Sequence, residues 1–250
     1  MKKKLAIVIP VYNEGANIEK TVRAIEANIK TPHRIHIVYD FDEDDTLPPA
    51  RALKDEGIDI AFIKNPARGA VNAIKKGMKD ARGEWVLVTM ADLSDDYAVV
   101  DRMCALMDDG FDVVCGSRYM RGGRQIGGPL VKKTISRLVG LSLWYLAGMP
   151  THDATNSFKL YRKSVLDAVK VESDGGFEIG LEVVTKAHYS GYRVTEIPCA
   201  WHDRSAGDSR FRLIGWAPNY LKWYFYAFKR AWSGKKAAHR PSQRKGKGKR

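Results

Sequence analysis

Residues 85–96 read Trp85-Val86-Leu87-Val88-Thr89-Met90-Ala91-Asp92-Leu93-Ser94-Asp95-Asp96. The uncharged run from Trp85 to Met90 has the character of a strand buried on both faces. It leads straight into Asp92. Open α/β sheets bind ligands beyond the carboxyl ends of their strands, so Asp92 stands where a ligand would lie. An oxygen ligand there suits Mg²⁺ or Mn²⁺ and, through the cation, a diphosphate. The alternative is local: Asp92 closes a turn before a helix that starts near Tyr97.

Outward from this segment, strand and helix signals alternate. Leu5–Ile9 is an apolar run ending at Pro10. Ile18, Val22, Ile25 and Ile29 repeat at spacings that make one helix face. Ile35–Tyr39 reads as a second strand, and Thr46 followed by Pro48 and Pro49 as a helix start. Ile58–Ile63 is a third strand. Ala70, Ala73, Ile74 and Met78 mark a helix stopped at Arg82-Gly83. Val99, Met103 and Leu106 mark another helix, and Val113–Gly116 a fifth strand. Further on, a helix is expected over Ile179–Tyr189 and a strand over Tyr192–Pro198. This order predicts an α/β fold with a mostly parallel, doubly wound, Rossmann-like sheet. No GxGxxG follows the first strand, which argues against a dinucleotide site.

The chain has 250 residues and a net charge of +13. That length suits one large domain with a small extension. Its three cysteines, Cys104, Cys115 and Cys199, are odd in number and far apart. They indicate neither a disulfide framework nor a zinc site, and read as buried thiols in a reducing compartment. The lysines at the start precede an apolar run too short for a signal peptide. No stretch approaches the ~18 apolar residues of a membrane span.

Beyond Tyr119 the pattern changes. Arg121-Gly122-Gly123-Arg124 and Gly127-Gly128-Pro129 read as a basic, mobile loop, either a lid or a surface connection. Leu138–Met149 is almost wholly apolar, as a core helix or an interfacial one would be. Residues 211–232 read as an amphipathic aromatic helix with Trp216, Tyr220 and Trp223 on one stripe and Lys222 and Lys229 on another. Aromatics flanked by basic residues are typical of a helix lying in a membrane interface. Residues 233–250 form a basic tail, expected to be disordered, with eight Lys and Arg and no acid. Such a tail fits an anionic membrane surface. Alone it would give nucleic acid only salt-sensitive, nonspecific affinity, so a specific nucleic-acid partner is not expected.

Taken together, these segments resemble glycosyltransferase family 2, in its polyprenyl-phosphate (dolichol-phosphate) mannosyltransferase-like branch. The resemblance rests on Val8-Ile9-Pro10-Val11-Tyr12-Asn13-Glu14, on Tyr39-Asp40 with the acidic loop Asp42–Asp45, and on Asn65-Pro66-Ala67-Arg68-Gly69-Ala70. It continues through Gly116-Ser117-Arg118-Tyr119, Asp153-Ala154-Thr155-Asn156-Ser157-Phe158-Lys159, Glu196-Ile197-Pro198 and Asp203–Arg210. These seven pieces in order over some 200 residues are specific together.

The resemblance implies a glycosyltransferase A-type fold over 1–210. Its donor-binding half is expected over about 1–118 and its acceptor-binding half over about 119–210. It implies an inverting transfer of a hexose, mannose or glucose, from a nucleotide-diphosphate sugar to polyprenyl or dolichyl phosphate. The protein is expected to be peripheral on the cytoplasmic face of the membrane. Donor-binding residues carried over are Pro10, Tyr12, Glu14, Asp40, Arg68, Gly69, Ala91 and Asp92. Cation ligands carried over are Asp92, Ser94 and Asp95. Acceptor-binding residues are Arg118, Arg204 and Arg210, guanidinium being suited to phosphate oxygens. Asp92, Arg204, Arg210 and Asp153 are the catalytic candidates, with Asp153 a base if the acceptor is a hydroxyl. His152, His188 and His202 read as structural.

One departure matters: the family reads Asp-Ala-Asp where this chain has Met90-Ala91-Asp92, and a thioether is a poor ligand for a hard cation. The runner-up readings are a family-2 transferase acting on a hydroxyl of a cell-surface glycan, and a nucleotide-binding protein with impaired catalysis. A homo-oligomer or a membrane partner protein is left open.

Overall fold

The computed structural model describes residues 4–203 and 213–233. Arg204, Arg210 and the basic tail lie outside the described residues.

Strand β1 (Leu5–Pro10) lies third, beside the central β4, in a seven-stranded sheet ordered β3-β2-β1-β4-β7-β5-β8. The other strands are β2 (His33–Tyr39), β3 (Ile60–Lys64), β4 (Trp85–Val88), β5 (Val113–Ser117), β7 (Lys159–Arg162) and β8 (Val194–Pro198). β1, β2, β3 and β4 run parallel, and β5 pairs parallel with β8. β7 enters antiparallel between β4 and β5. The expected mostly parallel, doubly wound sheet is therefore present, with one reversed strand that the sequence pattern does not reveal.

Alternation along β1 divides the core. Leu5, Ile7 and Ile9 face a cluster shared with α1 (Gly15–Asn28), α2 (Leu47–Asp55) and α4 (Val100–Asp108). Ala6 and Val8 face a second cluster with α3 (Ala70–Asp80), α5 (Leu130–Ala147), α6 (Lys163–Ala168), α7 (Ile179–Tyr189) and α8 (Leu213–Trp232). α3 sits tightly on the sheet because of Gly77, where a Cβ would lie 2.3 Å from Cγ1 of Val8.

Two expectations change. The basic segment after Tyr119 is not wholly loop: β6 (Arg124–Ile126) pairs with β9 (Ala200–His202) in a second, two-stranded sheet. That sheet is stitched to the acidic segment, since the His202 amide donates to the Ser94 carbonyl at 3.0 Å and Asp95 bridges Trp201. Tyr220 and Trp223 of the α8 stripe also face the protein: both pack with the core cluster and Trp223 is 2% exposed, while Phe225 on the other side is 62% exposed.

The chain order sets the ligand position. From β1 it moves outward to β2 and β3, then returns to β4 on the other side of β1. That reversal opens a crevice at the carboxyl ends of β1 and β4.

Candidate active site

A cleft of about 1430 Å³ fills this crevice and extends to α5 and α8. Its first end is built from strand ends: Pro10, Val11, Tyr12 and Glu14 follow β1, Asp40 follows β2, and Gly69 opens α3. Asp40 is buried and accepts from the Asn65 side-chain amide and from the Gly69 backbone amide, both at 2.7 Å. It thereby fixes the turn into α3, where Gly69 adopts φ 85°. Tyr12 meets Phe41 edge to face, with ring centroids 5.4 Å apart. Arg68 is exposed on the same turn and is not among the residues lining the cleft. Asn13, Arg68 and Leu93 have φ of 52°, 54° and 58°. Each follows β1, β3 or β4 at the crevice edge, where strained backbone tends to cluster around a ligand.

The middle of the cleft is the end of β4. Met90, Ala91, Asp92 and Ser94 line it. The Ser94 amide donates to Asp92 at 3.1 Å, which orients the carboxylate. Asp95 is directed elsewhere: it is buried and accepts from the Thr89 hydroxyl at 2.7 Å. Burial pushes its carboxyl up to about 7, against the Thr89 hydrogen bond and with a contribution from the Asp92 charge. Asp95 thus braces the loop and does not fit the cation role expected of it. Asp96 closes the same loop, accepting from Ala98 at 3.2 Å and from Ala200 at 3.1 Å.

Hard divalent cations take oxygen donors. The cleft offers the Asp92 carboxylate and the Ser94 hydroxyl, and Met90 offers sulfur. Among the described residues no three His, Cys, Asp or Glu side chains converge as a metal cluster. This donor set fits a cation that arrives with a diphosphate and keeps phosphate and water oxygens. It does not fit one held by protein ligands alone.

Beyond Asp92 lies Arg118. Its Nε donates to Asp153 Oδ2 at 2.7 Å and its Nη2 to Oδ1 at 2.9 Å. Nη2 also donates to Ser136 Oγ at 3.1 Å, and the Arg118 amide to Asp153 at 3.0 Å. Burial works to raise the Asp153 carboxyl, but the Arg118 guanidinium outweighs it and holds the group below its ordinary value. With both oxygens engaged and its basicity lowered, Asp153 orients Arg118. It is poorly placed to serve as the base that the hydroxyl-acceptor alternative requires.

His152 is held by its neighbours: its ring stacks on Trp144 with centroids 3.8 Å apart and its Nδ1 lies 2.5 Å from Glu196. Lys132, Gln125, Ser136 and Phe177 line the cleft without having been singled out from sequence. The far end is apolar, walled by Ile135 and Val139 of α5, Phe177, and Tyr220, Leu221 and Tyr224 of α8. Tyr224 is tied to α5 by a 3.0 Å hydrogen bond with Ser142.

Comparison with known proteins places this geometry. The dolichol-phosphate mannosyltransferase of Pyrococcus furiosus is 28% identical over 214 residues, covering 84% of this chain and 59% of that protein. The undecaprenyl-phosphate 4-deoxy-4-formamido-L-arabinose transferase of Yersinia enterocolitica is 29% identical, covering 85% of this chain and 64% of that one. The chain thus spans about three fifths of the length of these relatives.

Among solved structures, glucosyl-3-phosphoglycerate synthase of Mycobacterium tuberculosis, in complex with Mn²⁺, uridine diphosphate and glucosyl-3-phosphoglycerate, superposes with a TM-score of 0.66. It does so at 13% identity, over 91% of this chain and 80% of that one. TarS of S. aureus superposes with a TM-score of 0.59 at 16% identity, over 80% of this chain and 60% of that one. The family described as glycosyl transferase family 2 matches residues 6–170, and the chain belongs to it.

Proposed function

We propose that the protein is an inverting hexosyltransferase. It moves mannose or glucose from a nucleotide-diphosphate sugar to a polyprenyl phosphate presented at a membrane surface. The observation that carries this reading is the position of Arg118. Its guanidinium is fixed by Asp153 beside Ser136, between the Asp92 end of the cleft and an apolar end suited to a prenyl chain.

In this reading the donor nucleotide lies along Pro10, Tyr12, Glu14 and Asp40, with its diphosphate near Asp92. Arg118 binds the acceptor phosphate and turns one oxygen toward the anomeric carbon. The new bond forms from that oxygen to the anomeric carbon as the bond to the nucleoside diphosphate breaks on the opposite face. A phosphate oxygen is already anionic at neutral pH, so no base is needed, in keeping with the engagement of Asp153 by Arg118. A divalent cation bound with the donor would be held by Asp92 and Ser94 and would screen charge on the diphosphate. Arg204 and Arg210 are proposed to add cationic contacts to the phosphates.

The test is transfer of labelled sugar from guanine and uracil nucleotide-sugars into a short-chain polyprenyl phosphate dispersed in detergent, beside an Asp92→Ala control. Label in the lipid that is lost in the control supports the proposal and names the donor. Label only in a soluble glycan selects the hydroxyl-acceptor reading. Nucleotide binding without any transfer selects the impaired one.

A further inference from the structure

The small sheet of β6 and β9 hangs between the two charged parts of the cleft. At one end β9 is tied to the acidic loop. Asp95 bridges Trp201, the His202 amide donates to the Ser94 carbonyl, and the Ala200 amide donates to the Asp96 carboxylate at 3.1 Å. At the other end β6 is tied to the Arg118 segment. A Cβ on Gly123, just before β6, would lie 2.3 Å from the Ser117 carbonyl oxygen and 2.9 Å from that of Arg118. The Tyr119 hydroxyl donates to Gln125 Oε1 at 2.9 Å.

Gln125 and Trp201 are register partners across this parallel pair. Side chains alternate along a strand, so these two share one face of the small sheet. Both line the cleft, whereas Arg124, Ile126 and His202 belong to the other face and are exposed. The chain leaves β6 through Gly127 and Gly128 at φ of 79° and 78°, a conformation that favours glycine. A Cβ on Gly128 would stand 3.4 Å from both Gln125 Nε2 and the Trp201 ring. Glycine there keeps the surface of the pair uncovered. With Oε1 engaged by Tyr119, the Gln125 amide presents its Nε2 donor on that surface.

We propose that Gln125 and Trp201 read the sugar of the donor and set which hexose is accepted. The inference rests on the transferase proposal. In that reaction the anomeric carbon leaves one phosphate near Asp92 for another at Arg118, so the sugar ring lies between them, against this small sheet. A pyranose ring offers apolar C–H faces and a rim of hydroxyls. The Trp201 indole packs on a C–H face, and Gln125 Nε2 donates to one hydroxyl. A site that hydrogen-bonds a substrate hydroxyl discriminates against the analogue that lacks it. Tyr12 and Asp40 lie at the other end of the cleft, so the pair selects the sugar without selecting the nucleotide.

The test is calorimetric titration of the full chain, without acceptor and with Mn²⁺ present. The ligands are guanosine and uridine diphosphates, their mannose and glucose conjugates, and the monodeoxy forms of those conjugates. Gln125→Leu and Trp201→Leu are each expected to weaken the nucleotide-sugar by about tenfold and to leave the nucleoside diphosphate within about twofold of wild type. One monodeoxy donor is expected to bind the wild type about tenfold more weakly than its parent, and Gln125→Leu to bind the two equally. Gln125→Asn, which withdraws the amide but keeps it, carries the same expectation should Gln125→Leu fail to fold, and Trp201→Phe stands in for Trp201→Leu with a smaller loss. Equal weakening of nucleoside diphosphate and nucleotide-sugar overturns the inference. So does a Gln125 variant that retains every deoxy penalty of the wild type. A wild type that binds no nucleotide removes both this inference and the transferase proposal. Sugar discrimination as expected, with no transfer to any acceptor, leaves sugar recognition standing and removes the proposed transfer instead.

Discussion

The Asp153 carboxylate grips the Arg118 guanidinium with both oxygens, at 2.7 Å and 2.9 Å, with no exposure of Asp153 itself. Removing one partner from a buried pair leaves the other uncompensated, at a cost of roughly 3 kcal/mol. Asp153→Asn is therefore expected to lower the melting temperature and to reduce transfer together. Its pH dependence follows from the depressed carboxyl. The contribution of the pair is complete above the ordinary carboxylate range, declines as pH falls through that range, and is gone below the lowered folded-state value. Thermal melts of wild type and Asp153→Asn should thus converge in acid and stay apart at pH 7. A constant gap across the whole range would contradict the pairing.

Arg118 presents a planar fork, and its Nε and Nη2 are committed to Asp153. Arg118→Lys keeps the charge and loses the fork, so it is no conservative change at such a site. The expected result is a KM for the acceptor phosphate raised by about tenfold or more, with nucleotide affinity unchanged. Steady-state kinetics with the acceptor varied, and calorimetry with the nucleotide, separate these effects. Equal loss of both affinities would mean that Arg118 serves the donor.

α5 reaches the site through a close contact. Gly140 faces the carbonyl of His152, next to Asp153, and a Cβ would come within 2.0 Å of that oxygen. Gly140→Ala must push the helix off the segment that holds Asp153, at a cost of about 1–3 kcal/mol. A lower melting temperature is expected, together with a higher acceptor KM, because Ser136 on the same helix contacts Arg118. Unchanged stability would show that α5 shifts freely on the sheet.

The strands of the first half were legible because each carries a short apolar run, and their helices because Ile18, Val22 and Ile25, or Ala73, Ile74 and Met78, repeat on one face. β7 was not. It has four residues, begins with Lys159 and ends with Arg162, and shows neither alternation nor an apolar run. Lys159 is nonetheless fully buried, its ammonium donating to the carbonyls of Ala154 and Asn156. That solution depends on tertiary partners which no local pattern encodes. Asp92 could be assigned to the cleft from its place after a buried strand, and Pro10, Tyr12, Glu14 and Asp40 from the family resemblance. Ser136, Lys132 and Phe177 could not, because they reach it only through the packing of α5 and of the segment before α7. The direction of Trp223 was likewise hidden: a helical stripe is visible in sequence, but which side meets the protein is decided by α5 and α7.

Met90 sits at the cleft wall and packs against the core cluster, two residues before Asp92. Replacing its thioether by a carboxylate should add a hard oxygen donor beside Asp92, so that a cation is held by protein ligands without nucleotide. Met90→Asp is expected to bind Mn²⁺ without nucleotide at least about tenfold more tightly than wild type, since oxygen donors suit this ion and sulfur does not. Without metal, the new charge lies beside Asp92 and inside an apolar wall. The variant should then melt lower than wild type, by a difference worth on the order of 1–3 kcal/mol, and recover when Mn²⁺ is added. Titration of free Mn²⁺ by electron paramagnetic resonance gives the affinity, and melts with and without the ion give the linkage. Tight Mn²⁺ binding by the wild-type chain alone, equal to that of the variant, would show that Asp92 and Ser94 suffice and that Met90 has no part in setting cation affinity.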